Sequence, residues 1–452
     1  VTATARDGVD RGVSDTPLDW LAAQNLRRRQ SWGRLDDFVS GTAQVFPHLD
    51  NPVYTHRSDE VVDVLQYVED ATERGQWAFG FISYEAAAGL DPALPAPALP
   101  DARIGPGPAL PLVWFGFSPT PPQATDLITR GSVYRAGPWT HRWNQAAYGK
   151  AFARVQDTIA AGRTYQCNLT TSLTAPFAGD HVSFYTDLAQ AQASRYCAYL
   201  HIDNHVIASA SPELFFEWVG DTLRTKPMKG TAPRGRTAAD DRALLRELVN
   251  SPKERAENII IVDLLRNDLA KIAAVGTVRV TALLTPEAYP TVWQLTSEIT
   301  AQPLPETGLV AVLRAMFPCG SVTGAPKAET MQIIQEVEGR QRGIYCGAIG
   351  WMAPPTQTVR ARFSVAIRTA YIDLSRGVCE YGVGGGITWG SEVTAEFAEL
   401  RAKRQILVNT QWAAQRQRAG QHHRDRVAAP DTIDVSTSQT AAEIVKSRVV
   451  KR

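Results

Sequence analysis

Between residues 164 and 227 the sequence passes through TYQCNLTTSL, CAYLHI, HVIASA, ELFFEWV and TLRTKP, short apolar or alternating runs broken by Gly, Asp or Asn. Parallel strands need a crossover of a dozen or more residues, usually a helix. No twelve-residue helical pattern is evident between these runs, so they are expected to pair as an antiparallel sheet rather than as repeated βαβ units. Further strands are expected at 112–117, 347–352, 361–369 and 377–383. Helical periodicity predicts helices over 144–161, 252–267, 326–338 and 393–408, with another near 17–29. Mixed segments of this kind, without internal repeats, predict an α+β chain.

The organisation follows from composition shifts. A stretch rich in proline at 91–111, DPALPAPALPDARIGPGPALP, is excluded from helix interiors and central strands and reads as a connection. Residues 1–130 are therefore taken as an N-terminal subdomain intertwined with the core, 142–410 as the catalytic region, and 411–452 as a flexible tail. Lys plus Arg total 47 against 46 Asp plus Glu, a net charge of +1, which gives no bulk electrostatic case for nucleic acid or an anionic membrane. Five scattered cysteines without CxxC spacing argue against a disulfide scaffold or a zinc site, and no apolar run approaches a membrane span. A cytoplasmic protein is expected.

Two acidic pairs fall at helical spacing. Ser251 suits an N-cap, Pro252 the first helical position, and Glu254 the capping-box position, with Glu257 three residues on and on the same side. Glu396 and Glu399 repeat the spacing on the last helix. Two such helices can converge on a divalent cation such as Mg²⁺, which takes oxygen ligands, keeps several waters and accepts only one or two carboxylates directly. Each pair alone is ordinarily a solvated helix face. Two glycine-containing runs, CGSVTGAPK at 319–327 and YGVGGGITWGS at 381–391, read as turns feeding helices, where backbone N–H groups can meet an anion. Arg368 and Lys403 are nearby cations, although Lys403 is also placed as an i,i+4 partner of Glu399. Glu213 and Lys229 flank a turn at V-G-D-T. A three-residue loop, 220–222, puts them opposite one another; a two-residue loop puts them on opposite faces unless a bulge intervenes.

The motifs YQCNL (165–169), SPELFFEW (211–218), KPMKGTAPRG (226–235), KERAENIIIVDLLRND (253–268), GSVTGAPK (320–327), YCGAIG (345–350), AIRTA (366–370), GVGGGI (382–387) and EFAELRAK (396–403) resemble, in content and order, those of the chorismate-utilising enzymes, and most of all their aminodeoxychorismate synthase branch. The resemblance covers about 145–408. It implies stacked antiparallel β-sheets with outer helices and an active site in the cleft between the sheets. It further implies Mg²⁺ as cofactor, with Glu257 and Glu399 as ligands and Glu254 and Glu396 supporting through water. Arg368, Lys403, Gly324, Ala325, Gly384, Gly385 and Gly386 would hold the carboxylates of chorismate, with Tyr345 and Gln166 also at the substrate. Lys229 would be the nucleophile, Glu213 the acid assisting departure of the ring hydroxyl, and Thr231 a contact to that hydroxyl.

Lys229 matches the lysine of the branch's PIKGT motif, here with Met228 in place of isoleucine, where anthranilate synthases usually carry a small residue. Gln166 stands where isochorismate and salicylate synthases carry a lysine base, and glutamine cannot deprotonate water. Gln294 stands where many relatives have a histidine, which in anthranilate synthases is linked to loss of pyruvate. No glutaminase nucleophile elbow is evident, so the implied partners are chorismate, a separate glutamine amidotransferase supplying ammonia, and a downstream aminodeoxychorismate lyase as a distinct enzyme. The alternative within the family is anthranilate synthase component I.

Overall fold

The computed structural model describes residues 31–95, 110–289 and 292–407. The helix expected near 17–29, most of the proline-rich connection and the tail from 411 lie outside the described residues. Within them the chain is α+β and its strand pairings are antiparallel. One sheet runs Thr42–Thr55 (its first half), Ser31–Asp37, Tyr196–Ile202, His205–Ser211, Thr369–Asp373, Val378–Thr388 and Gln166–Gly179. The other begins with the second half of Thr42–Thr55 and continues through Val113–Ser118, Trp77–Ile82, Ala348–Met352, Val359–Val365, Leu214–Val219 and Thr222–Lys226 to Val292–Ala301, which also pairs with Met228–Pro233 and Arg279–Ala288. The 42–55 strand thus belongs to both sheets.

Alternation along the strands sorts their side chains into three apolar layers. Phe46, Phe79, Trp114, Leu200, Ile207 and Trp351 come from both sheets and fill the space between them. On the outer face of the second sheet, Phe115 and Phe216 pack with Val64 and Leu65 of the helix Val61–Glu73 and with Ile261 and Leu265 of Pro252–Ala270. On the outer face of the first, Leu169 and Val206 pack with Val155 of Gln145–Ala160, Phe184 of His181–Gln192, Ile333 of Lys327–Glu338 and Leu400 of Val393–Lys403. The order is helices, sheet, sheet, helices.

Three differences from the sequence reading have physical causes. The gap between the first two apolar runs holds a twelve-residue helix, His181–Gln192, in which every residue from Ser183 to Ala189 is buried. A helix covered on nearly all sides shows no amphipathic period. The run at 381–391 is not a turn feeding a helix. Gly382 to Gly386 lie inside the strand Val378–Thr388, and none of them has a positive φ. The 214–226 hairpin has the two-residue loop Gly220–Asp221, with Val219 opposite Thr222 and Gly220 at φ +53, so a three-residue loop does not align Glu213 with Lys229. No helix among the described residues is long and apolar enough to cross a membrane.

Candidate active site

Lys229 reaches its position through a β-bulge. Met228 pairs with Thr296 and Thr231 with Gln294, so three steps on the 228–233 strand oppose two on 292–301. The extra residue is accommodated by Gly230 at φ +88, a conformation that glycine adopts without steric cost. A bulge re-aims the neighbouring side chain, and Lys229 Nζ donates to the Ser321 carbonyl at 3.1 Å. A Cβ built on Gly386 would lie 3.2 Å from Lys229 Nζ and 3.0 Å from Gln166 Nε2, so the glycine backbone leaves the space that both side chains approach. Gln166 is fully buried, and neither its amide nitrogen nor its amide oxygen has a hydrogen-bond partner. A buried amide left unsatisfied on both sides is costly unless a ligand completes it.

Glu213 immediately precedes the 214–219 strand and is 2 % exposed. Burial raises its carboxyl to about 7, against the Ser321 hydroxyl, the Lys229 ammonium and the Met228 N–H. The two residues that the hairpin register fails to align are therefore brought together by the break at Pro227 and the bulge after it.

The acidic pairs sit on two helices that pack into different apolar clusters and meet directly, Lys253 of one reaching Glu396 of the other. Ser251 caps the 252–270 helix by accepting from Glu254 N at 3.3 Å, and Pro252 occupies the first turn. Glu257 is buried, and burial pushes its carboxyl to about 7, opposed by Lys229 and reinforced by Glu254 and Glu396. Glu254 is also raised, by burial first and then by Glu399 and Glu396. Glu396, 2 % exposed, accepts from Lys253 Nζ at 2.8 Å and from Ser391 Oγ at 2.7 Å. Glu399 lies at the exposed rim, where Lys403 holds its carboxyl below the usual value at 2.5 Å.

The four carboxylates thus feel one another across the gap between two helices. Glu257 Oε1 is buried without a hydrogen bond, and the donors are hard oxygens, a set that suits Mg²⁺. Among the described residues no group of three or more potential ligands is already gathered at metal-binding geometry.

Lys403 Nζ also donates to the Gly384 carbonyl at 2.7 Å, and Arg368, at φ +54, donates to the Lys403 carbonyl at 2.8 Å. Gly324 (φ +155) and Ala325 pair with Cys167 and Gln166, where a Cβ on Gly324 would overlap the Gln166 carbonyl. Thr231 is exposed, two residues along from Lys229, and donates to Gln294 Oε1 at 3.0 Å, while Gln294 Nε2 donates to the Gly230 carbonyl at 3.0 Å. Tyr345 is buried with its ring against Gly382. Sequence reasoning passed over Lys253, the Ser321 carbonyl and Ser391. Only Lys253 carried a signal, its i,i+4 spacing to Glu257.

Residues 125–409, more than half of the chain, match the family of chorismate binding enzymes. The chain belongs to that family. Among curated members of the chorismate binding family it is 35 % identical to aminodeoxychorismate synthase component 1 of Klebsiella aerogenes over 288 residues, 64 % of this chain and 61 % of the relative. It is 36 % identical to anthranilate synthase component 1 of Streptomyces coelicolor over 272 residues, 60 % of this chain and 52 % of the relative. The chain thus spans about three fifths or less of the length of these relatives. Among solved structures, anthranilate synthase component I from Streptococcus pneumoniae aligns at a TM-score of 0.65 and 21 % identity, covering 89 % of this chain and 100 % of that one. The menaquinone-specific isochorismate synthase of Escherichia coli aligns at 0.63 and 17 %, covering 87 % and 91 %. At such identities the likeness is one of fold.

Proposed function

We propose that this chorismate binding enzyme converts chorismate and ammonia into 4-amino-4-deoxychorismate, with the ammonia delivered by a glutamine amidotransferase partner. The observation that carries the reading is Lys229, turned by its bulge toward both a carboxyl group with a pKa of about 7 and the glutamate-bearing helices. In the first step the free amine of Lys229 bonds to C2 of chorismate, the ring double bonds shift, and the C4–O bond breaks. The proton of Glu213 leaves with the hydroxyl as water. Ammonia then bonds to C4, the double bonds shift back, the C2–N bond breaks to release the neutral lysine, and the Glu213 carboxylate takes back a proton from the new C4 ammonium. Dividing one hard substitution into two easier ones is the gain of covalent catalysis. A carboxyl group with a pKa near 7 is protonated often enough at neutral pH to act as the acid.

Arg368, Lys403 and the backbone at 324–325 and 384–386 would receive the substrate carboxylates. Glu257 and Glu399 would hold Mg²⁺, with Glu254 and Glu396 acting through water, and the ion would supply positive charge opposite a substrate carboxylate. Gln166 in place of a lysine disfavours hydration at C2.

The test is incubation of the pure chain with chorismate, Mg²⁺ and high ammonium, with products separated by chromatography. The expected product is 4-amino-4-deoxychorismate, which yields 4-aminobenzoate only after addition of a separate aminodeoxychorismate lyase. Anthranilate formed without lyase would overturn the reading in favour of anthranilate synthesis. Turnover to isochorismate or salicylate without ammonia would remove both.

A further inference from the structure

We propose that Lys253 is a built-in placeholder cation, bridging the two acidic helices while the site is metal-free and leaving when Mg²⁺ enters. This rests on the reading that the glutamates take Mg²⁺. Lys253 lies in the first turn of the 252–270 helix. Its Nζ is 2.8 Å from Glu396 Oε1 on the opposing helix and 3.7 Å from Glu257 Oε1 on its own. The ammonium therefore spans one carboxylate of each acidic pair, in the gap where the cation would sit. Lys403 does no such bridging, since it pairs with Glu399 of its own helix and with the Gly384 carbonyl.

The fit of the ammonium is incomplete, which makes it displaceable. It gives Glu396 a hydrogen bond but leaves Glu257 Oε1 buried and without one. A dication with six oxygen ligands satisfies that atom directly or through a bound water. The exchange is sterically open, because the Lys253 side chain is 36 % exposed and can swing its head into solvent on a flexible four-carbon stem. Two cations competing for one set of carboxylates have a negative coupling between them, and couplings of this kind span roughly 5–150-fold in affinity. In the metal-free protein the same ammonium keeps four nearby carboxylates from driving the helices apart.

Two measurements test this. In the wild-type chain, the rate at which an amine-acylating reagent modifies Lys253, followed by mass spectrometry of the peptide, is expected to rise on addition of Mg²⁺ and to fall again with EDTA. By calorimetric titration, K253M is expected to bind Mg²⁺ about fivefold or more tightly than wild type, and K253R to resemble wild type. A labelling rate indifferent to Mg²⁺ overturns the displacement whatever the affinity of K253M, and so does a K253M affinity equal to or weaker than wild type. A wild-type chain that takes up no Mg²⁺ overturns the metal assignment itself, a separate failure. The labelling needs no variant, so it stands even if K253M folds poorly.

Discussion

Lys229 and Glu213 meet through a strand defect, and the chemistry proposed for them depends on it. Gly230 at φ +88 supplies the extra residue, and a Cβ there would lie 3.1 Å from Glu254 Oε2. Gly230→Ala is expected to cost about 1–2 kcal/mol for the left-handed backbone, read as a lower Tm, and to lower kcat by turning Lys229. Lys229→Ala should abolish ammonia-dependent product formation at saturating ammonium while leaving chorismate binding measurable. For Glu213→Gln a fall in kcat of about 10²–10⁴-fold is expected. Burial raises the Glu213 pKa to about 7, so the donating, protonated form prevails below that pH and is lost above it. The rate at saturating Mg²⁺ and ammonia should fall as pH rises through about 7, and the Gln variant should lack that limb. The motifs named these residues, but not how they meet. Nothing in KPMKGT distinguishes a bulge from a continuous strand, because the difference lies in how residues 228–231 pair with 294–296.

At the scale of elements, legibility followed exposure. The helix over 145–160 was readable because Asn144 caps it, accepting from Ala147 N at 2.9 Å, and because Phe152, Val155 and Ile159 share one buried face. The helix Ala238–Asn250 escaped for the reason opposite to 181–192. Only Leu248 on it is buried, so no apolar stripe marks it. The glycine run at 382–386 misled because glycine usually signals a turn. Here it thins a strand paired along its whole length with Gln166–Pro176, so that side chains can approach its backbone. At Gly382 the intruder is the Tyr345 ring, which an added Cβ would overlap. Gly382→Ala is expected to destabilise the protein by about 1–3 kcal/mol through overpacking, measurable by urea denaturation.

Across the whole molecule, a buried polar network joins the N-terminal segment to the strand that bears Gln166. Arg342 donates to the Asn168 carbonyl at 2.7 Å, to the Val322 carbonyl at 2.8 Å and to Glu338 at 2.6 Å. Glu338 accepts in turn from Thr170 N at 2.8 Å, and Glu85 accepts from Arg342 N at 2.6 Å. Arg342→Met leaves the buried Glu338 carboxylate without its ion-pair partner and should cost about 3–5 kcal/mol, with the unfolding transition shifted accordingly. The 42–55 strand contributes at the same scale. Because it is hydrogen-bonded into both ladders, the walls on either side of the inter-sheet core are one continuous fabric. Prying them apart means unzipping main chain, not sliding one oily surface over another. The Gln166 strand and the 228–233 strand lie at the far ends of the two ladders, so this seam of main chain fastens the sheets along the edge away from the candidate site, and a ligand meets them at the edge the seam does not close.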